Sequence, residues 1–263
     1  MVTTYILPVI AFAAMGIIAG VLLSVFSKVF EVKTDERIEQ INDVLPQANC
    51  GACGYAGCAD YADAIITKDA PTNLCRPGGT KAADAISKIT GTNSGEVVEQ
   101  TAVLHCSGDC AATGIKYEFT GLKTCASVKR FYSGNSTCSF GCVGFGDCIS
   151  VCELGAISIK DEIAHIDPDI CMACGKCVSA CPNKLISIKP KSFSTVVRCS
   201  SKDNGKVTKL NCKNGCIGCK MCEKNCPTGA ITVTDFHASI DYTKCADCGV
   251  CAQKCPVKVI ELI

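Results

Sequence analysis

The chain has 263 residues, 25 of them cysteine, and a formal net charge of +1. Cysteine at this density means a disulfide scaffold or metal clusters, and disulfide scaffolds belong to short secreted domains; the C-x2-C rhythm here points instead to thiolate ligands in a reducing compartment. A nearly neutral chain without Trp has neither the positive field nor the stacking surface that nucleic acid needs, so no nucleic acid is expected as a partner.

Met1 to Ser27 carries no charged residue, and Tyr5 to Phe26 is almost wholly apolar. At about 1.5 Å per residue such a stretch reaches across a hydrocarbon core of roughly 30 Å, which predicts a transmembrane helix and anchor over 1–30. A cleaved signal peptide would carry positive charge ahead of the apolar run, and none is there. Lys28, Lys33 and Arg37 follow the span. The positive-inside rule then puts the N-terminus outside and the rest in the cytoplasm, as a single-pass protein of the cytoplasmic membrane. The span has no ionisable residue, so this helix alone is not expected to carry ions.

Thr34 to Leu45 sets Ile38, Ile41, Val44 and Leu45 at helical spacing, behind Thr34 or Asp35 as a cap and ahead of Pro46, and reads as a stalk. Cys50, Cys53, Cys58 and Cys75 then form C-x2-C-x4-C-x16-C. These are four thiolates for one [4Fe-4S] cube, with a four-cysteine zinc knuckle as the alternative. Helices are expected from Ala59 to Thr67 and from Lys81 to Ile89, so stalk and cluster domain occupy 31–90. A Gly/Ser/Asn-rich link at 91–95 opens a connecting region, 91–124, that contains His105, Cys106 and Cys110.

Cys216, Cys219, Cys222, Cys226 and then Cys245, Cys248, Cys251, Cys255 both read C-x2-C-x2-C-x3-C-P. In this pattern three thiolates grip one cube and the fourth crosses to a second. A single constant shift along the chain lays Cys125, Cys138, Cys142, Cys148 and Cys152 on Cys199, Cys212, Cys216, Cys222 and Cys226. The same shift lays Cys171, Cys174, Cys177 and Cys181 on the last run, so the second half is a duplication. Two tandem bacterial-type two-cluster ferredoxin modules are expected, at 125–190 and 191–263, each cysteine run followed by a short strand. The expected fold is α+β: one N-terminal transmembrane helix, a small helical [4Fe-4S] domain, and the two modules.

One position breaks the repeat, because Phe145 stands where the second copy has Cys219. Cys138 is the natural substitute; the alternative is an incomplete or lost cube. The expected sets are Cys50, Cys53, Cys58, Cys75 for cube one; Cys138, Cys142, Cys148, Cys181 for cube two; Cys171, Cys174, Cys177, Cys152 for cube three. Cube four takes Cys216, Cys219, Cys222, Cys255, and cube five Cys245, Cys248, Cys251, Cys226. Cys106, Cys110, Cys125, Cys199 and Cys212 remain, either as buried structural thiols or with four of them as ligands of a sixth cube. The cofactor expectation is therefore five to six [4Fe-4S] clusters, with iron as the metal.

No G-x-G-x-x-G follows a strand, so neither flavin nor NAD is expected on this chain, and no catalytic residue stands out. A row of cubes is an electron relay between partners that hold the chemistry. From Lys191 to Cys226 eight basic residues face two acidic ones, a patch that could steer an acidic soluble ferredoxin toward cubes four and five, or simply be solvated.

The order of an apolar N-terminal helix, then NCGACGYAGCADYADAI with a later Cys75-Arg-Pro-Gly, then a tandem ferredoxin tail, resembles the B subunit of the Rnf complex, the ion-translocating ferredoxin:NAD+ oxidoreductase, in its long cysteine-rich form. The resemblance implies an electron-transfer subunit that accepts electrons from reduced ferredoxin. It also implies partners: an NAD- and flavin-binding peripheral subunit and integral membrane subunits that translocate Na+ or H+. The competing expectation is a membrane-anchored polyferredoxin serving another oxidoreductase.

Overall fold

The computed structural model describes residues 2–29 and 35–263, with side chains over 12–26 and 35–263. Helix α1 runs Val2–Val29, and its described side chains are all exposed, Ile17 at 68% and Leu23 at 71%. The expected span begins on residues whose side chains lie outside the described set. Among the described residues no helix is long and apolar enough to cross a membrane. Thr34 and Lys33 also lie outside the described residues.

Three helices make the N-terminal domain: α2 (Glu36–Val44), α3 (Cys58–Thr67) and α4 (Gly79–Thr90). Asp35 caps α2 by accepting a hydrogen bond from the Arg37 amide at 3.0 Å, satisfying one of the orphan donors of a first turn. The segment read as a stalk is not free-standing. Its apolar stripe packs Ile41 and Leu45 against Tyr61, Ile65 and Ile86, so α2 is an integral helix of the domain.

The rest is two copies of one small α/β unit. The first contains β1 (Gln100–Leu104), α5 (Cys125–Lys129), α6 (Asp147–Ser150), β2 (Ile157–Lys160), β3 (Ile163–Ile166), α7 (Lys176–Ala180) and β4 (Ile186–Pro190). The second contains β5 (Thr195–Val197), α8 (Gly205–Asn211), α9 (Met221–Lys224), β6 (Ile231–Thr234), β7 (His237–Ile240), α10 (Val250–Lys254) and β8 (Ile260–Leu262). Each has two antiparallel two-stranded sheets, β2 with β3 and β1 with β4 in the first, β6 with β7 and β5 with β8 in the second.

The register of the cysteine runs holds through the hairpins: Ile157 pairs with Ile166, and their counterparts Ile231 and Ile240 pair likewise. The hairpin turn sits directly on a cysteine loop. A Cβ on Gly144, at φ +79°, would lie 2.4 Å from the Glu162 carbonyl oxygen, and Gly218 meets Phe236 in the same way. Only glycine fits there.

The opening strands obey a different offset. Leu104 pairs with Ile186 and Val197 with Ile260, so β1 and β5 are equivalent strands. In the register of the cysteine runs Val197 would answer instead to Lys123, well downstream of β1. The first module is therefore longer between its first strand and its first cysteine loop, and β1 belongs to that module rather than to a separate connecting region.

In the N-terminal core the buried Tyr61 hydroxyl donates to the Pro71 carbonyl at 2.7 Å and accepts from the Leu74 amide at 3.2 Å, fixing the turn that presents Cys75. Tyr61→Phe orphans that amide, and should lower the opening free energy of the 71–75 turn by about 1–3 kcal/mol. Hydrogen exchange at Leu74 measures this; unchanged protection would show the hydroxyl to be idle.

Candidate metal centres

Every one of the 25 cysteines is a free thiol in the structure, and the thiols gather where loops from different parts of the chain meet. Cys75 is pushed up from the ordinary thiol pKa by burial and then by the neighbouring thiols of Cys58, Cys53 and Cys50. Those four are the set the first motif predicts. The backbone that brings them together is a helix start: Cys58 opens α3, where its amide is held by the Asn49 side chain at 2.9 Å.

In the first module, Cys152, Cys171, Cys174 and Cys177 line one cavity of about 270 Å3. Burial, then the neighbouring thiols of Cys171 and Cys174, and less strongly that of Cys152, raise the Cys177 thiol to about 11. Pro46, Gln47 and Ala48 of the N-terminal domain line the same cavity, so the domain that carries Cys50 rests on this site. Glu153, which stands where the other runs have Pro, pairs with Lys176 at 2.6 Å on its rim.

The second site of that module departs from expectation. Its cavity is lined by Cys125, Cys142, Cys148 and Cys181, without Cys138. Burial, then Cys142 and Cys125, raise Cys148 to about 12. Cys125 is delivered by the short α5, whose first amides, those of Cys125 and Ala126, donate to the Asp147 carboxylate at 2.8 and 2.9 Å. The amides of Asp147, Phe145 and Gly146 in turn point at the Cys125 sulfur. Cys125 thus reaches into the loop in which Phe145 replaces a cysteine. The extra length of the first module is what allows it.

Cys138 lies elsewhere. It lines a third cavity with Cys106, Cys199 and Cys212. Burial raises Cys106 to about 12, and raises Cys212 to about 11 with Cys138 and Cys199 as charged neighbours. Cys110 is exposed and lines none of these three cavities.

In the second module burial and then Cys216, Cys255 and Cys219 raise Cys222 to about 11. Cys251 is raised by burial and has Cys245 and Cys226 as neighbours, and Cys248 is exposed on the same loop. Backbone amides donate to several of the sulfurs, Ala102 and Ala173 to Cys171 at 3.4 Å each and Asp247 to Cys245 at 3.3 Å.

His105 is not available as a ligand. Its Nδ1 donates to the Val197 carbonyl at 2.7 Å and its Nε2 accepts from the Ser187 hydroxyl at 2.6 Å, an arrangement suited to the neutral ring that burial favours. Among the described residues no group of three or more His, Cys, Asp or Glu closes around the position of a single metal ion. The donor sets contain sulfur alone, and amide N–H groups donate to several of the sulfurs. That is the environment of a thiolate-held cluster.

The fold and these centres define a multi-centre iron-sulfur protein. A family model described as an Fe-S cluster domain matches residues 45–77, and the 4Fe-4S dicluster domain matches 137–185 and again 215–259. The chain is 42% identical to the B subunit of the ion-translocating oxidoreductase complex of Methanosarcina acetivorans, over 95% of each chain. It is 37% identical to the B subunit of the Na(+)-translocating ferredoxin:NAD(+) oxidoreductase complex of Acetobacterium woodii, over 99% of this chain and 79% of that one. To the proton-translocating counterpart of Clostridium ljungdahlii it is 35% identical, over 99% and 93%. The chain belongs to the family of Rnf complex B subunits.

Replacing Cys125 by Ala should cost the full chain one cube, about four irons, or leave a three-iron remnant. Adding Phe145→Cys to that variant should restore the iron, because it returns a thiol to the loop that Cys125 enters. Iron analysis with electron paramagnetic resonance (EPR) reads both. Full iron retention in Cys125→Ala would remove Cys125 from the set.

Proposed function

We propose that this chain is the membrane-anchored electron-transfer subunit of an Rnf complex, taking electrons from reduced ferredoxin and relaying them toward NAD+ reduction coupled to ion translocation. The observation that carries the reading is the gathering of cysteines into separate four-thiol groups in which one thiol crosses from another loop: Cys152 joins Cys171, Cys174 and Cys177, and Cys181 joins Cys125, Cys142 and Cys148. The names of the relatives supply ferredoxin and NAD+ as the redox partners of the complexes they belong to.

When bound, a [4Fe-4S] cube passes one electron at a time. The residues that would hold cube one are Cys50, Cys53, Cys58 and Cys75; cube two, Cys125, Cys142, Cys148 and Cys181; cube three, Cys152, Cys171, Cys174 and Cys177. Cys216, Cys219, Cys222 and Cys255 would hold cube four, and Cys226, Cys245, Cys248 and Cys251 cube five. The chain's own work is to set the potentials of these centres through N–H donors and through burial, which is deep at Cys148, Cys177 and Cys222 and absent at Cys219 and Cys248.

The uncharged stretch from Met1 to Ser27 supports α1 as the anchor. The lysines and the arginine after it support a cytoplasmic placement of the cluster domains, with the N-terminus outside. The basic patch is smaller than its sequence implied. Arg198 pairs with Glu261 and donates to the Leu104 carbonyl, Lys191 pairs with Asp169, and Lys220 lies 4.0 Å from Glu223. Lys202, Lys206, Lys209, Lys213 and Lys224 remain as a positive surface of the second module for an acidic ferredoxin, with the exposed Cys219 nearby in sequence.

Two measurements test the reading. Affinity isolation from native membranes should recover flavin- and NAD-binding subunits with this chain, and recovery of the chain alone would sink the Rnf assignment. Raising ionic strength should slow its reduction by ferredoxin, because steering between opposite charges is screened within about 10 Å at 0.1 M salt; a salt-independent rate would remove the lysine surface from docking.

A further inference from the structure

We propose that Cys106, Cys138, Cys199 and Cys212 hold a sixth [4Fe-4S] cube at the joint between the two ferredoxin modules, and that these residues form the electronic connection from one module to the other. The inference goes beyond the five-cube reading but rests on it for the identity of the neighbouring centres.

Three of the four cysteines, Cys106, Cys199 and Cys212, fall outside every stretch that the cluster-domain families match. The four nevertheless line one cavity, and no carboxylate or imidazole shares it. Gly108 keeps it open: a Cβ there would stand 3.2 Å from the Cys212 sulfur and 3.7 Å from that of Cys106.

The site is built by symmetry. Each module supplies two thiols. Cys106 and Cys199 each come just after the equivalent strand positions Leu104 and Val197, and Cys138 and Cys212 are counterparts in the register of the cysteine runs. Hydrogen bonds across the joint are reciprocal in the same sense. Arg198 Nη1 donates to the Leu104 carbonyl at 3.0 Å and His105 Nδ1 to the Val197 carbonyl at 2.7 Å. Ser200 Oγ donates to the His105 carbonyl at 3.1 Å, and Ser107 Oγ to the Arg198 carbonyl at 3.2 Å. A joint of this kind holds two pairs of thiols in fixed relation before any metal arrives.

The neighbouring centres touch it from both sides. The Cys142 amide donates to the Cys106 sulfur at 3.3 Å, and the Cys216 amide donates to the Cys199 sulfur at 3.2 Å. Cys142 belongs to the set of cube two and Cys216 to that of cube four. One residue and one N–H···S bond therefore separate the joint's sulfurs from the nearest centre of each module. With the N-terminal domain resting on the site of cube three, the residues fall into a single file: five, four, six, two, three, one. Each hand-over moves one electron, oxidising the donor side and reducing the acceptor side by one, with no proton and no bond change.

The full chain, isolated anaerobically, should carry about 24 irons, four per cube. About 20 would overturn the sixth site while leaving the five-cube reading intact, and zinc in place of iron would overturn both. In the Cys106→Ser/Cys199→Ser variant about four irons should be lost and the other EPR signals kept, whereas Cys110→Ser should lose none. Full iron in the double variant would overturn the site. The iron count of the unaltered chain decides the same point should that variant fail to fold. For the connection, bleaching by sub-stoichiometric reduced ferredoxin should be one phase in the parent chain and split into a fast and a slow phase in the double variant. Loss of four irons with an unsplit time course would overturn the connecting role.

Discussion

Burial of sulfur governs this molecule. Among the described residues each of the three apolar cores contains cysteines, Cys75 among the helices of the N-terminal domain, Cys106, Cys148 and Cys177 in the first module, Cys216 and Cys222 in the second. A thiolate in such a place is costly unless a cation compensates it, and the structure expresses that cost as thiols raised to about 11 or 12. Iron binding displaces those protons, so loading the clusters and completing the cores are one free-energy event. The short strands of three to five residues make small two-stranded sheets that would be marginal alone. They suffice because the centres beneath them tie distant loops together.

That constraint explains why the repeat tolerates Phe145. A four-thiol set can accept its fourth member from any loop that reaches, and the first module has additional chain between β1 and its first cysteine loop. Cys125 arrives on α5, pinned by Asp147, and the amides of the Phe145 loop turn toward its sulfur. Cys138 is then free for the joint. In the second module, where Cys219 is present, no such chain is needed, and Cys199 lies in the joint.

The parts most legible in the sequence were those set by local spacing. C-x2-C rhythms mark loops that fold around sulfur wherever they sit, and the register of those runs survives in the pairs Ile157–Ile166 and Ile231–Ile240. What stayed hidden was set by tertiary register. The sequence aligns Cys125 with Cys199, whereas strand pairing aligns Cys106 with Cys199, and only the second alignment places thiols in space. The strand β1 escaped for the same reason, since QTAVL has no partner in its own neighbourhood and pairs with β4, beyond both cysteine runs of its module. The helix α2 carried a correct helical pattern, but a pattern of Ile38, Ile41 and Leu45 does not say whether the stripe faces solvent, membrane or a domain core.

The twofold relation at the joint holds for the backbone and not for the charges. Lys129 and Asp203 occupy equivalent positions in the register of the cysteine runs, with opposite signs. Lys129 donates to the Ser139 carbonyl at 2.9 Å and has Cys138 and Cys181 as electrostatic neighbours, whereas Asp203 raises the Cys138 thiol and Lys116 opposes it. A positive charge beside a thiolate-held centre favours its reduced form, and a negative charge disfavours it. The duplication therefore keeps one backbone at the joint while placing opposite charges, Lys129 and Asp203, at equivalent positions around it.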